Sequence, residues 1–310
     1  MDRKRVVITE FMDPAAVAQL ADRFDVHYAP DLHARRDELV RLLAEADALV
    51  VRNRTRVDAV LLASQTRLQA IGRLGVGLEN IDLDHCRMLG VEVIPAIGAN
   101  AAAVAEYVVC CAMMLLRGAY FHSTEVSAGA WPRDRLAGGR ELSGKRLGLV
   151  GLGSVGRITA TLAQAMGMHA CAYDPALDPA HETWHTVERC AGLDALLGQC
   201  DVVSLHVPLL AQTRNLIDAR RLSLMKPDAI LINVARGGVV DEAALAAALA
   251  SNRLGGAALD VYAEEPLPAG SPLAGVPNLI LTPHVAGVTA ESNVRVSSVI
   301  ARAIAQRLGG

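Results

Sequence analysis

The stretch Arg146-Leu147-Gly148-Leu149-Val150-Gly151-Leu152-Gly153-Ser154-Val155-Gly156 decides the fold of this chain. A strand-forming run passes without a break into Gly-x-Gly-x-x-Gly, and residues 157–166 that follow are helix formers. Each glycine has its own reason. Gly151 allows a tight turn, Gly153 lets the backbone approach a pyrophosphate, and Gly156 permits close packing of the helix. The helix N–H groups and dipole attract the phosphates. The next strand ends in Tyr173-Asp174, where a carboxylate can accept the adenosine ribose 2'-OH hydrogen bonds. Because that carboxylate would repel a 2'-phosphate, NAD is expected rather than NADP. Arg157, at the helix start, suits the pyrophosphate.

Working outward, strands are predicted at 146–150, 168–173, 202–206, 229–233, 256–260 and 279–282, separated by helices. Six buried strands in this rhythm describe a doubly wound nucleotide-binding domain. The first half gives strands at 6–9, 48–51, 70–72 and 91–94, with one-faced helices at 14–24 and 37–46. Residues 101–117 are helical but apolar nearly all round, so this helix is expected to be buried on several faces. A domain junction or a second subunit would supply the partners, and a central core helix is the alternative. A last helix at 290–308 returns to the first domain. The expected fold is α/β in two domains. An NAD-binding Rossmann domain with a doubly wound parallel sheet spans 100–287, and a smaller flavodoxin-like α/β domain, binding substrate, comprises 1–99 and 288–310.

Composition narrows the function classes. The chain has 310 residues, 52% hydrophobic and 20% charged, the balance of a soluble globular protein with a sizeable core. Its formal charge of -3 provides no basic field for a polyphosphate backbone, so no nucleic-acid partner is expected. The longest uncharged apolar run, residues 107–116, falls well short of the ~20 residues of a membrane helix. The N-terminus is too polar for a secretory signal. Six cysteines show no CxxC or Cys/His ligand spacing, which points to no metal and to reduced thiols in cytoplasm.

Four further motifs follow the glycine turn: Leu205-His206-Val207-Pro208; Met225-Lys226-Pro227-Asp228 leading to Asn233-Val234-Ala235-Arg236-Gly237-Gly238; Leu259-Asp260-Val261-Tyr262-Ala263-Glu264-Glu265-Pro266; and Thr282-Pro283-His284. In this order they closely resemble the D-2-hydroxyacid dehydrogenase family, and the likeness covers nearly the whole chain. In that family the sheet of the second domain binds NAD and the substrate lies in the cleft between domains. The chemistry explains the residue types. Moving hydride from a secondary alcohol to nicotinamide leaves a proton on the hydroxyl, and His284 supplies an imidazole to take it. A carboxylate at Glu265 would fix that ring and stabilise its charged form. The neighbouring Glu264 is set aside only because the family places its acid directly before proline. Arg236 presents a planar fork for the substrate carboxylate and carbonyl oxygen. The resemblance also implies cofactor contacts at Ser154 and Val155 beside the pyrophosphate, at Val207 and Pro208 near adenine, and at Thr213. It further implies contacts at Val234, Ala235, Arg236, Asp260 by the nicotinamide amide, His284 and Gly287. His206 is expected to be structural.

Two earlier loops carry the family's substrate contacts, Val51-Arg52-Asn53-Arg54-Thr55 and Arg73-Leu74-Gly75-Val76-Gly77-Leu78-Glu79-Asn80. Backbone N–H groups at Val76 and Gly77 would cradle a carboxylate. Glu79 stands where the family more often has Asp. Arg52, Arg54 and Arg73 are more positive charge than a lactate-like monoanion needs, so a small 2-hydroxy or 2-keto acid with a second anionic group is expected. Arg-x-Arg-Thr is similar to the element of 3-phosphoglycerate dehydrogenases, and with Thr9-Glu10-Phe11-Met12-Asp13 it also resembles sulfolactate dehydrogenases. The order of expectation is 3-sulfolactate, then 3-phosphoglycerate, then malate or another 2-hydroxy acid. Trp131-Pro132-Arg133 resembles the family's dimer arm, which predicts a homodimer and puts Arg133 at a neighbouring subunit's cleft. A chain ending soon after its closing helix is expected to carry no regulatory domain. The same fold also serves NAD-sensing binding proteins and corepressors, but the joint presence of Arg236, Glu265 and His284 favours an enzyme.

Overall fold

The computed structural model describes residues 3–309. The chain divides into two compact units, one running through Asn100 and resuming at Val288, the other Ala101–Gly287. In the first unit β1 (Arg5–Ile8), β2 (Asp25–Tyr28), β3 (Ala48–Val51), β4 (Ala70–Arg73) and β5 (Glu92–Pro95) form one sheet in the order β2-β1-β3-β4-β5. Every pairing is parallel. That order reverses direction at β1, as in flavodoxin-like sheets. Helices α1 (Pro14–Ala21), α2 (Arg36–Leu43), α3 (Ala59–Leu62) and α4 (Leu83–Met88) connect the strands. The side chains of Asp13, Asp58 and Asp82 cap α1, α3 and α4 by accepting backbone N–H bonds.

The second unit begins with α5 (Ala101–Arg117) and α6 (Ser123–Ser127). It continues through β6 (Arg146–Val150), α7 (Ser154–Ala165), β7 (His169–Tyr173), β8 (Glu188–Arg189), α8 (Leu193–Gln199) and β9 (Val202–Leu205). It closes with α9 (Ala219–Leu224), β10 (Ile230–Asn233), α10 (Glu242–Ala250), β11 (Gly256–Leu259) and β12 (Leu279–Leu281). The sheet runs β12-β11-β10-β9-β6-β7-β8, all parallel. Its direction reverses at β6, next to β9, which is where such folds bind dinucleotides. Strand alternation separates two cores. Leu147, Leu149, Ile230 and Ile232 pack with residues of α5 and α7, while Val150, Val203, Leu231 and Leu259 pack with residues of α8 and α10.

The last helix, α11 (Ala290–Gly309), packs in the first unit. Ile300 and Ile304 lie over Gly72 of β4 so closely that an added Cβ would meet Ile300 at 2.5 Å. Thr289 and Ser292 bond each other's backbone N–H at its start, a reciprocal cap.

Two strands were not foreseen. β2 (Asp25–Tyr28) and β8 (Glu188–Arg189) are edge strands, partly or wholly exposed and largely polar, so they lack the apolar run of the central strands. Consequently the second sheet has seven strands rather than six. Helix α1 stops at Ala21 and α2 at Leu43, each about one turn before the expected end. α5 is also less enclosed than expected. It buries one broad face, but Glu106, Cys110, Met113 and Arg117 form an exposed stripe along the other.

A buried carboxylate organises the first unit's β3 loop. Glu10, just past β1, is almost fully buried. Its Oε1 accepts from the backbone N–H of Arg52 (2.8 Å) and Thr55 (3.0 Å) and from the Thr55 hydroxyl (2.8 Å). Its Oε2 accepts from the N–H of Asn53 (3.2 Å) and Arg54 (3.0 Å). Burial by itself would push this carboxyl up. The hydrogen bonds from Thr55, Arg54 and Arg52 outweigh it and hold Glu10 below its ordinary value of 4.5. Because the folded value is depressed, the stabilisation is complete above about pH 4.5 and is lost as pH falls through the lowered value. Glu10→Gln is therefore expected to cost about 1–3 kcal/mol near neutral pH. Urea unfolding of both proteins across pH should show that gap closing below pH 4.5.

Candidate active site

The functional side chains of the second unit gather at the carboxyl ends of its parallel strands. After β6, Gly151 takes φ +93°, and a Cβ there would meet the His206 carbonyl oxygen at 2.7 Å. A Cβ on Gly156 would meet the Gly151 carbonyl at 2.5 Å, so the helix can pack against the turn only through glycine. At Gly153, the N-cap of α7, a Cβ would meet nothing within 4 Å. Open space above the first N–H groups of a twelve-residue helix, on which Ser154 and Val155 are the first residues, fits a pyrophosphate.

Asp174 directly follows β7, beside this turn. Its Oδ2 accepts the Leu152 N–H at 2.8 Å, and its Oδ1 accepts from Ala176 (2.9 Å) and Leu177 (3.2 Å). The carboxylate thus braces the glycine turn and retains acceptor capacity for ribose hydroxyls. It lines an open recess with Tyr173, Pro175, Arg189, Cys190 and Ala191. Val207 and Pro208 follow β9. The Thr213 hydroxyl donates to the Pro208 carbonyl (2.6 Å) and accepts the Leu210 N–H (2.7 Å), so it shapes this loop from within. Burial pushes His206 down to about 4, which keeps its ring neutral at pH 7 and fits a structural role.

The segments after β10, β11 and β12 carry Arg236, Glu265 and His284. At the end of β10, the Asn233 side chain accepts the Ala235 N–H (3.1 Å) and donates to the Arg236 carbonyl (3.0 Å), tying down Val234, Ala235 and Arg236. Arg236 Nη1 donates to the Ala235 carbonyl at 2.6 Å. Asp260, buried after β11, reaches across to β12. Its Oδ1 accepts from the Thr282 hydroxyl (2.6 Å) and the Val285 N–H (2.8 Å), and its Oδ2 from the Ala286 N–H (2.7 Å). The Tyr107 hydroxyl extends this chain to Thr282 at 2.6 Å. His284 is held between these bonds at φ +57°, a left-handed conformation uncommon outside glycine. Its Nδ1 lies 2.8 Å from Glu265 Oε2, while Glu265 Oε1 accepts the Tyr262 N–H at 3.0 Å. The carboxylate meeting the imidazole belongs to Glu265 and not to Glu264. Gly287 closes this unit.

In the first unit, Arg52 and Arg54 follow β3, Arg73 is the last residue of β4, and Val76 and Gly77 follow it. Arg54 is exposed and Arg52 is half-buried, with its guanidinium donating to Asn293 Oδ1 at 2.9 Å. Arg73 differs from both. Its Nε donates to the Gly77 carbonyl and its Nη1 to the Leu74 carbonyl, each at 2.8 Å, bracing the loop that carries Val76 and Gly77. Asn80 joins the two loops by donating to the Thr55 carbonyl at 2.7 Å.

Sequence reasoning did not foresee the organising roles of Glu10, Tyr107, Thr282 and Asn293. Glu10 stands just past a predicted strand and Thr282 is the last residue of another, and a polar residue at a strand end was the available signal. Nothing local marks Asn293. Among the described residues, no group of three or more His, Cys, Asp or Glu side chains could hold a metal ion, and no single helix is long and apolar enough to cross a membrane.

Comparison with known proteins places this arrangement. Residues 109–286 match the family described as D-isomer specific 2-hydroxyacid dehydrogenase, NAD binding domain. An (S)-sulfolactate dehydrogenase of Chromohalobacter salexigens is 52% identical over 304 residues, covering 98% of each chain. A D-3-phosphoglycerate dehydrogenase of Mycobacterium tuberculosis is 37% identical over 98% of this chain, which spans 57% of that protein's length. Among solved structures, the TT0316 protein from Thermus thermophilus superimposes with a TM-score of 0.89 at 32% identity, covering 99% of this chain and 97% of that one. The chain is an oxidoreductase with an NAD-binding domain, and it belongs to the D-isomer specific 2-hydroxyacid dehydrogenase family.

Proposed function

We propose that this chain oxidises 3-sulfolactate to 3-sulfopyruvate with NAD. The geometric observation that carries the reaction is the His284–Glu265 pair at 2.8 Å. The substrate reading is supported by the 52% identical sulfolactate dehydrogenase, matched along 98% of both chains. NAD, when bound, supplies the nicotinamide that accepts the hydride from the substrate carbinol carbon. His284 takes the hydroxyl proton at Nε2, because Nδ1 is turned to Glu265. Glu265 fixes the ring and balances the imidazolium, and is itself fixed by the Tyr262 N–H. Arg236 offers the planar donor fork that suits a 2-hydroxy carboxylate. Arg52 and Arg54 read the second anion, while Arg73 shapes the loop whose Val76 and Gly77 N–H groups suit the carboxylate. One proton and one hydride leave the alcohol, giving the ketone, NADH and a proton on the enzyme that passes to solvent.

The S descriptor agrees with D-type geometry. Sulfur outranks oxygen in naming, so the sulfonate-bearing carbon takes priority over the carboxylate and a D-arranged centre is labelled S. Oxidation of 3-phosphoglycerate is the second reading, supported by the 37% identical relatives and by the same tetrahedral oxyanion chemistry. A homodimer belongs to this proposal. Tyr120, Phe121, Val126 and Trp131 cluster in sequence after α5, and Trp131 is 79% exposed.

Turnover of 3-sulfolactate, 3-phosphoglycerate, malate and D-lactate with NAD, followed by NADH absorbance, tests the substrate. Sulfolactate is expected to give the highest kcat/KM, and equal or better activity on lactate would overturn the role of the second anion. His284→Ala should lower kcat by about 10²–10⁴-fold with folding intact, and Glu265→Gln by less. An NAD sensor would instead bind cofactor and show no turnover for His284→Ala to abolish. Asp174→Ala should lower kcat/KM for NAD by roughly tenfold or more and reduce the preference over NADP, since one hydrogen-bonding carboxylate is lost. Light scattering is expected to give the dimer mass, and a monomer mass at all concentrations would remove that part of the proposal.

A further inference from the structure

Arg52 is a half-buried cation that has no hydrogen-bonded carboxylate among the described residues. Burial pushes its guanidinium down, and Glu10 opposes this only through space, because both Glu10 oxygens are taken up by the backbone of residues 52–55 and the Thr55 hydroxyl. Among the described residues, the side-chain hydrogen bond of Arg52 goes to a neutral amide, Asn293 Oδ1. A desolvated cation satisfied this way costs folding free energy that an ion pair within the chain would have offset. Leaving it unpaired is physically reasonable where an anion is to be bound. We propose that Asn293 is a specificity-determining positioning residue, which holds the Arg52 guanidinium so that the enzyme selects 2-hydroxy acids bearing a second oxyanionic group. This inference rests on the reading of Arg52 given under the proposed function.

Geometry fixes both ends of the contact. A guanidinium has only donors, so the amide oxygen of Asn293 must face it, and the orientation of the amide follows from chemistry. Asn293 lies in the first turns of α11, and its own N–H donates to the Thr289 carbonyl at 3.0 Å. That helix is anchored by Ile300 and Ile304 over Gly72, by the Ser297 hydroxyl accepting the Asp13 N–H (3.0 Å), and by Arg295 donating to the Ala99 carbonyl (2.9 Å). At the other end, Glu10 pins the Arg52 backbone. With both backbone and guanidinium held, the side chain need not give up rotamer freedom when an anion arrives, and that saving appears as affinity for the second anion alone. A neutral amide achieves this without competing for the charge. A carboxylate at the same position would neutralise the guanidinium.

The test compares wild type, Asn293→Ala and Asn293→Asp on 3-sulfolactate, 3-phosphoglycerate and D-lactate at saturating NAD, with thermal unfolding of each protein. The quantity read is kcat/KM for each substrate bearing a second anionic group divided by that for D-lactate. Asn293→Ala is expected to lower this selectivity roughly tenfold, the scale of one charge-assisted hydrogen bond, mainly through KM. Asn293→Asp should lower it further while unfolding no earlier than wild type, since it gains an internal ion pair. A merely structural contact would not produce that combination. The phosphoglycerate and sulfolactate arms distinguish which oxyanion the pair serves. Unchanged selectivity in both variants, or equal losses on all three substrates, would overturn the inference and leave the proposed reaction standing. A wild-type selectivity near one would instead remove the second-anion reading, and this inference with it.

Discussion

The buried carboxylate of Asp260 is the fixed point around which the candidate chemistry is arranged. It takes the Thr282 hydroxyl, two residues before His284, and the N–H groups of Val285 and Ala286, the two residues after it. Those bonds stabilise a histidine backbone at φ +57°, a conformation that costs on the order of 1 kcal/mol or more for a residue with a Cβ. Held this way, the imidazole turns Nδ1 toward Glu265. A looser loop would let the ring relax to ordinary backbone angles and lose the pairing.

The same device occurs three times. Glu10 after β1, Asp174 after β7 and Asp260 after β11 each stand just past a parallel strand and bind backbone N–H groups of a loop. In each case a short acidic side chain supplies acceptors that irregular backbone otherwise lacks once it is shielded from water. The loops so organised are the Arg52–Arg54 loop, the glycine turn and the His284 loop. Rigid strands set the positions and internal carboxylates set the loop conformations, so the groups proposed to meet substrate and cofactor are placed before either arrives.

Division of labour among the arginines follows from what each touches. Arg73 spends donors on the carbonyls of Leu74 and Gly77, Arg52 is held by Asn293, and Arg54 stands in solvent. Identical side chains therefore serve as a loop brace, a fixed cation and an adaptable cation. Counting charge along the chain treats them as equal, and only their partners separate them.

The alternation of apolar runs with one-faced helices, and glycines at 151, 153 and 156, determined the α/β architecture, because continuous burial of central parallel strands and close helix packing leave direct marks on residue type. Motifs around 236, 265 and 284 likewise singled out the residues proposed for the acid–base work, since that chemistry accepts few side chains. Edge strands β2 and β8 left no such mark, as one side of each faces water and tolerates polar residues. Seating Glu265 against His284, turning Arg73 into a brace, and bringing Glu10 to residues 52–55 and Asn293 to Arg52 were decided by tertiary structure. These contacts join positions separated by up to 241 residues in the chain, and their geometry exists only once the sheets are assembled.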